Sequence, residues 1–130
     1  MDTTSRFGPG FDLYQALVEQ APDAMIFADA EGMIRVWNVR AEEIFGYAAS
    51  EATGRSLDLI IPQHLRAAHW QGYHQAIAAG HTRLGGRPML TRATHKDGSK
   101  VYVEFAFAIV RDKQRGVLGA LATVRKPSKP

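Results

Sequence analysis

Cysteine is absent from all 130 residues of the chain. That absence excludes a disulfide scaffold, cysteine-ligated zinc, iron–sulfur clusters and thiolate nucleophiles. It also points toward a reducing compartment. Long apolar runs are missing too. Apolar runs such as LDLII at residues 57–61 fall far short of the roughly 20 residues that span a bilayer. The N-terminus lacks a basic segment followed by an apolar one, the pattern of a signal peptide. The expectation is therefore a soluble cytoplasmic protein with no membrane partner. A strong charge of one sign is also lacking: 16 Lys and Arg stand against 13 Asp and Glu, a net charge of +3. The cations are scattered and gather only in the terminal RKPSKP. A nucleic-acid-binding domain concentrates them on one element, so nucleic acid is not an expected partner.

What is present is ordinary for one globular domain: 45% hydrophobic and 22% charged residues. Residues 1–10, with Gly8-Pro9-Gly10, read as a flexible tail, 11–125 as the domain, and 126–130 as a second tail. Leu13, Leu17 and Val18 sit at helical spacing within 11–20, and Pro22 should stop that helix at Ala21. Ala24–Ala28 and Met33–Trp37 read as a hairpin around DAEG. Asn38 is placed to cap a helix through Phe45 that Gly46 ends. SEATGRS is a second capped turn, with Ser50 or Thr53 as the cap. Pro62 is placed to open a helix from Gln63 to about Ala79, with Gly80 stopping it.

Three strands are then expected at about Arg83–Thr94, Lys100–Arg111 and Gly116–Arg125. In the middle one Val101, Val103, Phe105, Phe107 and Ile109 alternate, so one face is core. The order predicts an α+β fold with one antiparallel sheet, helices on one side and a ligand space between. No Ser-His-acid or paired-carboxylate set is readable, and Glu42-Glu43 looks like a helix-surface pair. An enzyme is not expected.

The segments APDAMIFADAEGMIRVWN, AEEIFGY, EATGRSLDLIIP, LRAAH…AIAAG, HKDGSKVYVEF and GVLGALATVR follow one another over about Leu13–Arg125. In wording, order and spacing they resemble a PAS domain. The resemblance implies a sensory or interaction module built on a five-stranded antiparallel sheet. Its helices would enclose a cofactor, a metabolite or only side chains. PAS photosensors that form a flavin–cysteinyl adduct, or tether a chromophore to cysteine, are excluded by the missing thiol. The resemblance also implies an ion pair between Glu51 and Lys96. The chain departs from kinase- and cyclase-linked members in lacking an Asp-x-Thr ending, so it is either a stand-alone domain with an unknown signalling partner or one cut from a longer chain.

The stretch LRAAHWQGYHQAIAAGHTRLGGRPM, at 65–89, with HKDGS behind it, is similar to the haem-PAS oxygen sensors of the FixL and Dos type. That resemblance implies haem b with His69, after Arg66-Ala-Ala, as its proximal iron ligand. It places Arg87 and Met89 on the distal side, two residues apart and so on one face of a strand. The residues agree with it in part. Leu65, His69, Tyr73, Ala76 and Ile77 recur at three and four, an apolar helical stripe. Ala68, Gly72 and Ala76 are small enough for a flat macrocycle to approach, and Trp37 is a core or pocket-wall residue. Arginine can donate a charge-assisted hydrogen bond to a polarised gas, and methionine can ligate or pack.

A histidine on an apolar stripe is also compatible with a hydrogen-bonded structural role. The alternative reading is thus a haem-free interaction module with an empty or metabolite-filled pocket. It would act as a homodimer through the N-terminal helix, by Leu13, Leu17 and Val18, and the sheet face. His64, His74, His81 and His95 are expected at the surface.

Overall fold

The computed structural model describes residues 7–127; positions 1–6 and 128–130 of the two expected tails lie outside the described residues. Helix α1, Leu13–Glu19, starts where the Asp12 carboxylate accepts the Gln15 amide at 3.1 Å, and the chain leaves it two residues ahead of Pro22. The hairpin follows as β1, Ala24–Asp29, and β2, Ile34–Trp37. Its turn is held by the Asp29 carboxylate, which accepts the amides of Glu31 at 3.0 Å and Met33 at 3.1 Å.

Helix α2 spans Val39–Phe45 and is capped by Asn38, as expected. In place of a turn with a hydroxyl cap, the first three residues of SEATGRS join Ala49 in a short helix α3, Ala49–Ala52. Its first residue follows Ala48, whose amide donates to the Glu51 carboxylate at 2.9 Å. Two single turns, Leu57–Leu59 and Gln63–Leu65, lead into helix α4, Arg66–Ala79.

The strands β3, Met89–Thr94, β4, Lys100–Asp112, and β5, Gly116–Arg125, complete an antiparallel sheet of order β2-β1-β5-β4-β3. The chain is α+β, as its element order predicts. One expected strand start is corrected. Residues 83–86 form a turn, and β3 begins at Met89. Gly85 and Gly86 have φ of 60° and 83°, a left-handed conformation that interrupts a strand. Pro88 has no N–H for a ladder. Arg87 therefore lies outside the strand.

Register fixes the two faces. Phe105 lies opposite Val124, Phe107 opposite Ala122 and Ile109 opposite Ala120, while Ala24, Ile26 and Ala28 line up with Val124, Ala122 and Ala120. Cross-strand partners share a face, so this is the inner one. Over it pack Ala41, Ile44 and Phe45 of α2, Ala52 of α3 and Ile60, forming the main core with Trp37. A second, smaller core gathers Ala28, Ala120 and Tyr73, with Leu57, Trp70, Ile77 and Ile109 against it.

Among the described residues Asn38 is the one polar side chain in the buried class, 2% exposed. Its Oδ1 accepts the amides of Met25 (2.9 Å) and Ala41 (3.1 Å). Its Nδ2 donates to the carbonyls of Val18 (2.8 Å) and Asp23 (3.1 Å). One amide thus joins the end of α1, the start of β1 and the start of α2. At the surface Lys96 and Glu51 pair at 2.7 Å, an exposed contact worth less than about 1 kcal/mol. No helix among the described residues is long and apolar enough to cross a membrane.

Candidate functional site

Helix α4 turns the stripe of Leu65, His69, Tyr73, Ala76 and Ile77 toward the protein: Tyr73 is buried and the others are half-buried. Ala68 and Gly72 face solvent instead. Each precedes an inward residue by one, about 100° around the helix, so of the three small residues only Ala76 lies on the inner side. Three contacts fix the helix. The Tyr73 hydroxyl donates to the carbonyls of Ala28 (3.2 Å) and Asp29 (2.5 Å), and burial pushes its pKa up to about 12, keeping the proton in place. The Trp70 indole N–H donates to Asp58 Oδ1 at 2.7 Å. Its ring covers Gly32 so closely that a Cβ there would lie 2.2 Å from it. At the C-terminal end Arg111 donates through Nη2 to the Gly80 carbonyl, where a cation is favoured by the helix dipole.

His69 stands between Trp70, with ring centroids 4.6 Å apart and an edge-on approach, and Tyr73, at 5.8 Å. Its Nδ1 is the one buried side-chain nitrogen or oxygen without a hydrogen-bond partner among the described residues. Burial lowers its pKa; the Asp58 charge pulls upward and His74 pushes down. The imidazole is therefore neutral at pH 7 with a nitrogen that nothing in the protein engages. A buried polar atom left so costs about 1–3 kcal/mol, which fits a group waiting for a ligand.

A pH dependence follows. The folded pKa lies below the ordinary imidazole value of 6.5, so as pH falls through about 6.5 the unfolded chain takes up the proton first and stability drops. Urea midpoints should decline between pH 7 and 5, and the decline should be shallower in His69→Gln. An unchanged slope in that variant would remove His69 as its source.

The remaining residues singled out by the sequence are dispersed. Tyr73 and Ile77 share the smaller core with Trp70, and Leu65 ends the single turn before α4. Trp37 belongs to the main core, with its indole N–H on the Tyr47 carbonyl at 2.9 Å and its ring 5.5 Å from Phe45. Met89 opens β3 opposite Phe105, on the inner face, but is 41% exposed at the sheet edge. Arg87 is exposed and donates Nε to the Leu84 carbonyl at 3.1 Å.

His64, His74 and His81 are exposed as expected. His95 is half-buried, because its ring packs under Gly46, where a Cβ would lie 2.4 Å away. The anchoring of Trp70 by Asp58 leaves no mark in the sequence: a half-buried indole needs an acceptor, but nothing in the spacing names Asp58. No group of three or more His, Cys, Asp or Glu able to hold a metal occurs among the described residues. Two surface clefts, one at Pro22, Arg40 and Arg125 and one at Tyr47, Arg55 and Arg66, do not include His69, Arg87 or Met89.

Comparison with known proteins places the fold. The chain is 30% identical over 111 residues to the oxygen sensor protein DosP of Escherichia coli, a match covering 85% of this chain and 14% of DosP. The chain thus corresponds to about a seventh of that relative. Among solved structures, a PAS domain from Colwellia psychrerythraea superposes with a TM-score of 0.76 at 21% identity, covering 90% of this chain and 96% of the other. An RNA-binding light-oxygen-voltage receptor superposes at 0.69 with 24% identity, covering 94% of this chain and 34% of the other. Both likenesses concern the fold. The family model described as PAS fold matches residues 12–127. With its five-stranded sheet and packed helices, the chain belongs to the PAS family, whose domains are sensory modules.

Proposed function

We propose that this PAS domain is a haem-based gas or redox sensor that holds haem b through His69. The observation that carries the proposal is the neutral, half-buried His69 imidazole, whose buried Nδ1 is unengaged. The likeness of residues 65–89 to haem-PAS oxygen sensors and the identity with DosP support it. Bound haem would supply reversible gas binding or a one-electron change at iron. The protein's own residues do the rest. Trp70 and Tyr73, tied to Asp58 and to the β1–β2 turn, fix the helix that carries the imidazole. Arg87 can turn from the Leu84 carbonyl to donate toward a polar ligand, and Met89 offers a flexible thioether on the inner register. Leu65 and Ile77 would supply apolar surface, whereas Trp37 is committed to the main core. Titration of the purified protein with hemin tests this: a Soret band that survives gel filtration supports it, and a spectrum like that of free hemin overturns it.

A second reading, a haem-free module that acts by homodimerisation, is favoured by a different observation. No residue of α1 is buried, and Tyr14 and Leu17 are 74% and 57% exposed. On the outer sheet face Phe27 and Leu121 lie opposite each other and are half-buried. A second copy would cover both through Leu13, Leu17, Val18 and the sheet, and an unknown partner protein would receive the signal in the cytoplasm. Light scattering should then return a dimer mass that Leu17→Glu reduces to a monomer; a strict monomer at high concentration rules this reading out.

A further inference from the structure

Neither reading uses the arginines of the cleft at the base of α4. It is an open surface cleft of about 330 Å³ between Tyr47, Arg55, Ser56, Asp58, Leu59 and Arg66, at the small end of the range that metabolite sites occupy. Its polar groups are arranged to donate. Arg66 is fixed by neutral acceptors, with Nε on the Ile61 carbonyl at 3.0 Å and Nη2 on the Asp58 carbonyl at 3.2 Å. Its approach to the Asp58 carboxylate is only 3.8 Å, too long for a hydrogen bond. That carboxylate is engaged elsewhere, by the Trp70 indole. Among the described residues Arg55 makes no side-chain ion pair: Glu51, whose carboxyl its charge helps to hold down, is paired with Lys96 at 2.7 Å. Ser56 Oγ accepts the Asp58 amide at 3.1 Å, which leaves its own proton free to donate. Two guanidinium charges against one carboxylate leave the lining at +1.

We propose that this cleft is a second binding site, for the oxyanion group (phosphate or carboxylate) of a small metabolite, with Arg55 and Arg66 as its charged donors and Ser56 as its hydroxyl donor. A guanidinium already immobilised by carbonyls loses little conformational freedom on binding, and its fork matches two oxygens of one anion. Asp58 sets the limit on size: it disfavours an anion that reaches past the two arginines to its side of the cleft. Because the carboxylate of Asp58 also holds Trp70, and Tyr47 holds the Trp37 indole, both cleft walls touch a tryptophan.

The test uses the haem-free protein, so it stands apart from the fate of the haem proposal. Inorganic phosphate and succinate are titrated at constant ionic strength, following amide resonances and tryptophan fluorescence. Saturable shifts centred on Arg55, Ser56 and Asp58 are expected, and the tighter of the two probes names the oxyanion. Arg55→Gln, a substitution of an exposed side chain, should weaken binding about tenfold, the cost of one charge-assisted contact. Arg125→Gln, a guanidinium paired with Asp23 elsewhere, should leave it unchanged. Shifts that never saturate, or that persist equally in Arg55→Gln, overturn the site.

Discussion

His69→Ala should abolish stable haem binding, while His74→Ala leaves the Soret band in place. The two imidazoles are five residues apart on one helix, but only one is turned inward. His69 is half-buried with an unengaged Nδ1; His74 is exposed and stacks on Trp70 with centroids 5.9 Å apart. Removing a direct ligand should lower hemin affinity by more than the roughly 10–100-fold that loss of an outer partner costs. Gel filtration after loading separates the outcomes: haem that co-elutes with His69→Ala as it does with the parent protein means the iron is held elsewhere, and the proposal falls.

Asn38→Ala should destabilise the domain by about 3 kcal/mol. The substitution removes the cap of α2, worth about 1 kcal/mol. It also strands the Met25 amide and the carbonyls of Val18 and Asp23, at about 1–3 kcal/mol for each buried group that water fails to reach. Asn38→Asp keeps both acceptor contacts but sets a carboxylate against those two carbonyls, so it should fall on the destabilised side as well. Urea denaturation measures both, with an unchanged slope confirming that stability alone has shifted. A loss under about 1 kcal/mol in Asn38→Ala would mean that solvent reaches these groups and that α1 is not locked to the sheet.

Much of the fold was legible because its signals are local. The alternation from Val101 to Ile109 marks an inner face, Asn38 marks a cap, and Gly46 and Gly80 mark helix ends. Spacing by three and four also separated His69 from His74. What stayed hidden depends on partners remote in the chain. Tyr73 meets Ala28 from 45 residues away, and Trp70 meets Asp58 from 12; neither pairing leaves a periodic trace. The start of β3 departs from the sequence pattern for a different reason. Leu84, Met89 and Leu90 suit a strand, but Gly85, Gly86 and Pro88 impose a turn that outweighs them. That turn moved Arg87 from a strand face to the strand's approach.

The double grip of Tyr73 on Ala28 and Asp29 has a mechanical consequence. With Trp70 seated on Gly32 one turn earlier, α4 is riveted to a single reverse turn near its middle, while its far end is tethered to β4 by Arg111. The helix cannot advance along its own axis without tearing out both rivets, so the motion left to it is a pivot. Any push delivered at His69 is handed to the tip of β1, which lies one strand in from the margin of the sheet, between β2 and β5. The load enters where neighbours on both sides must share it.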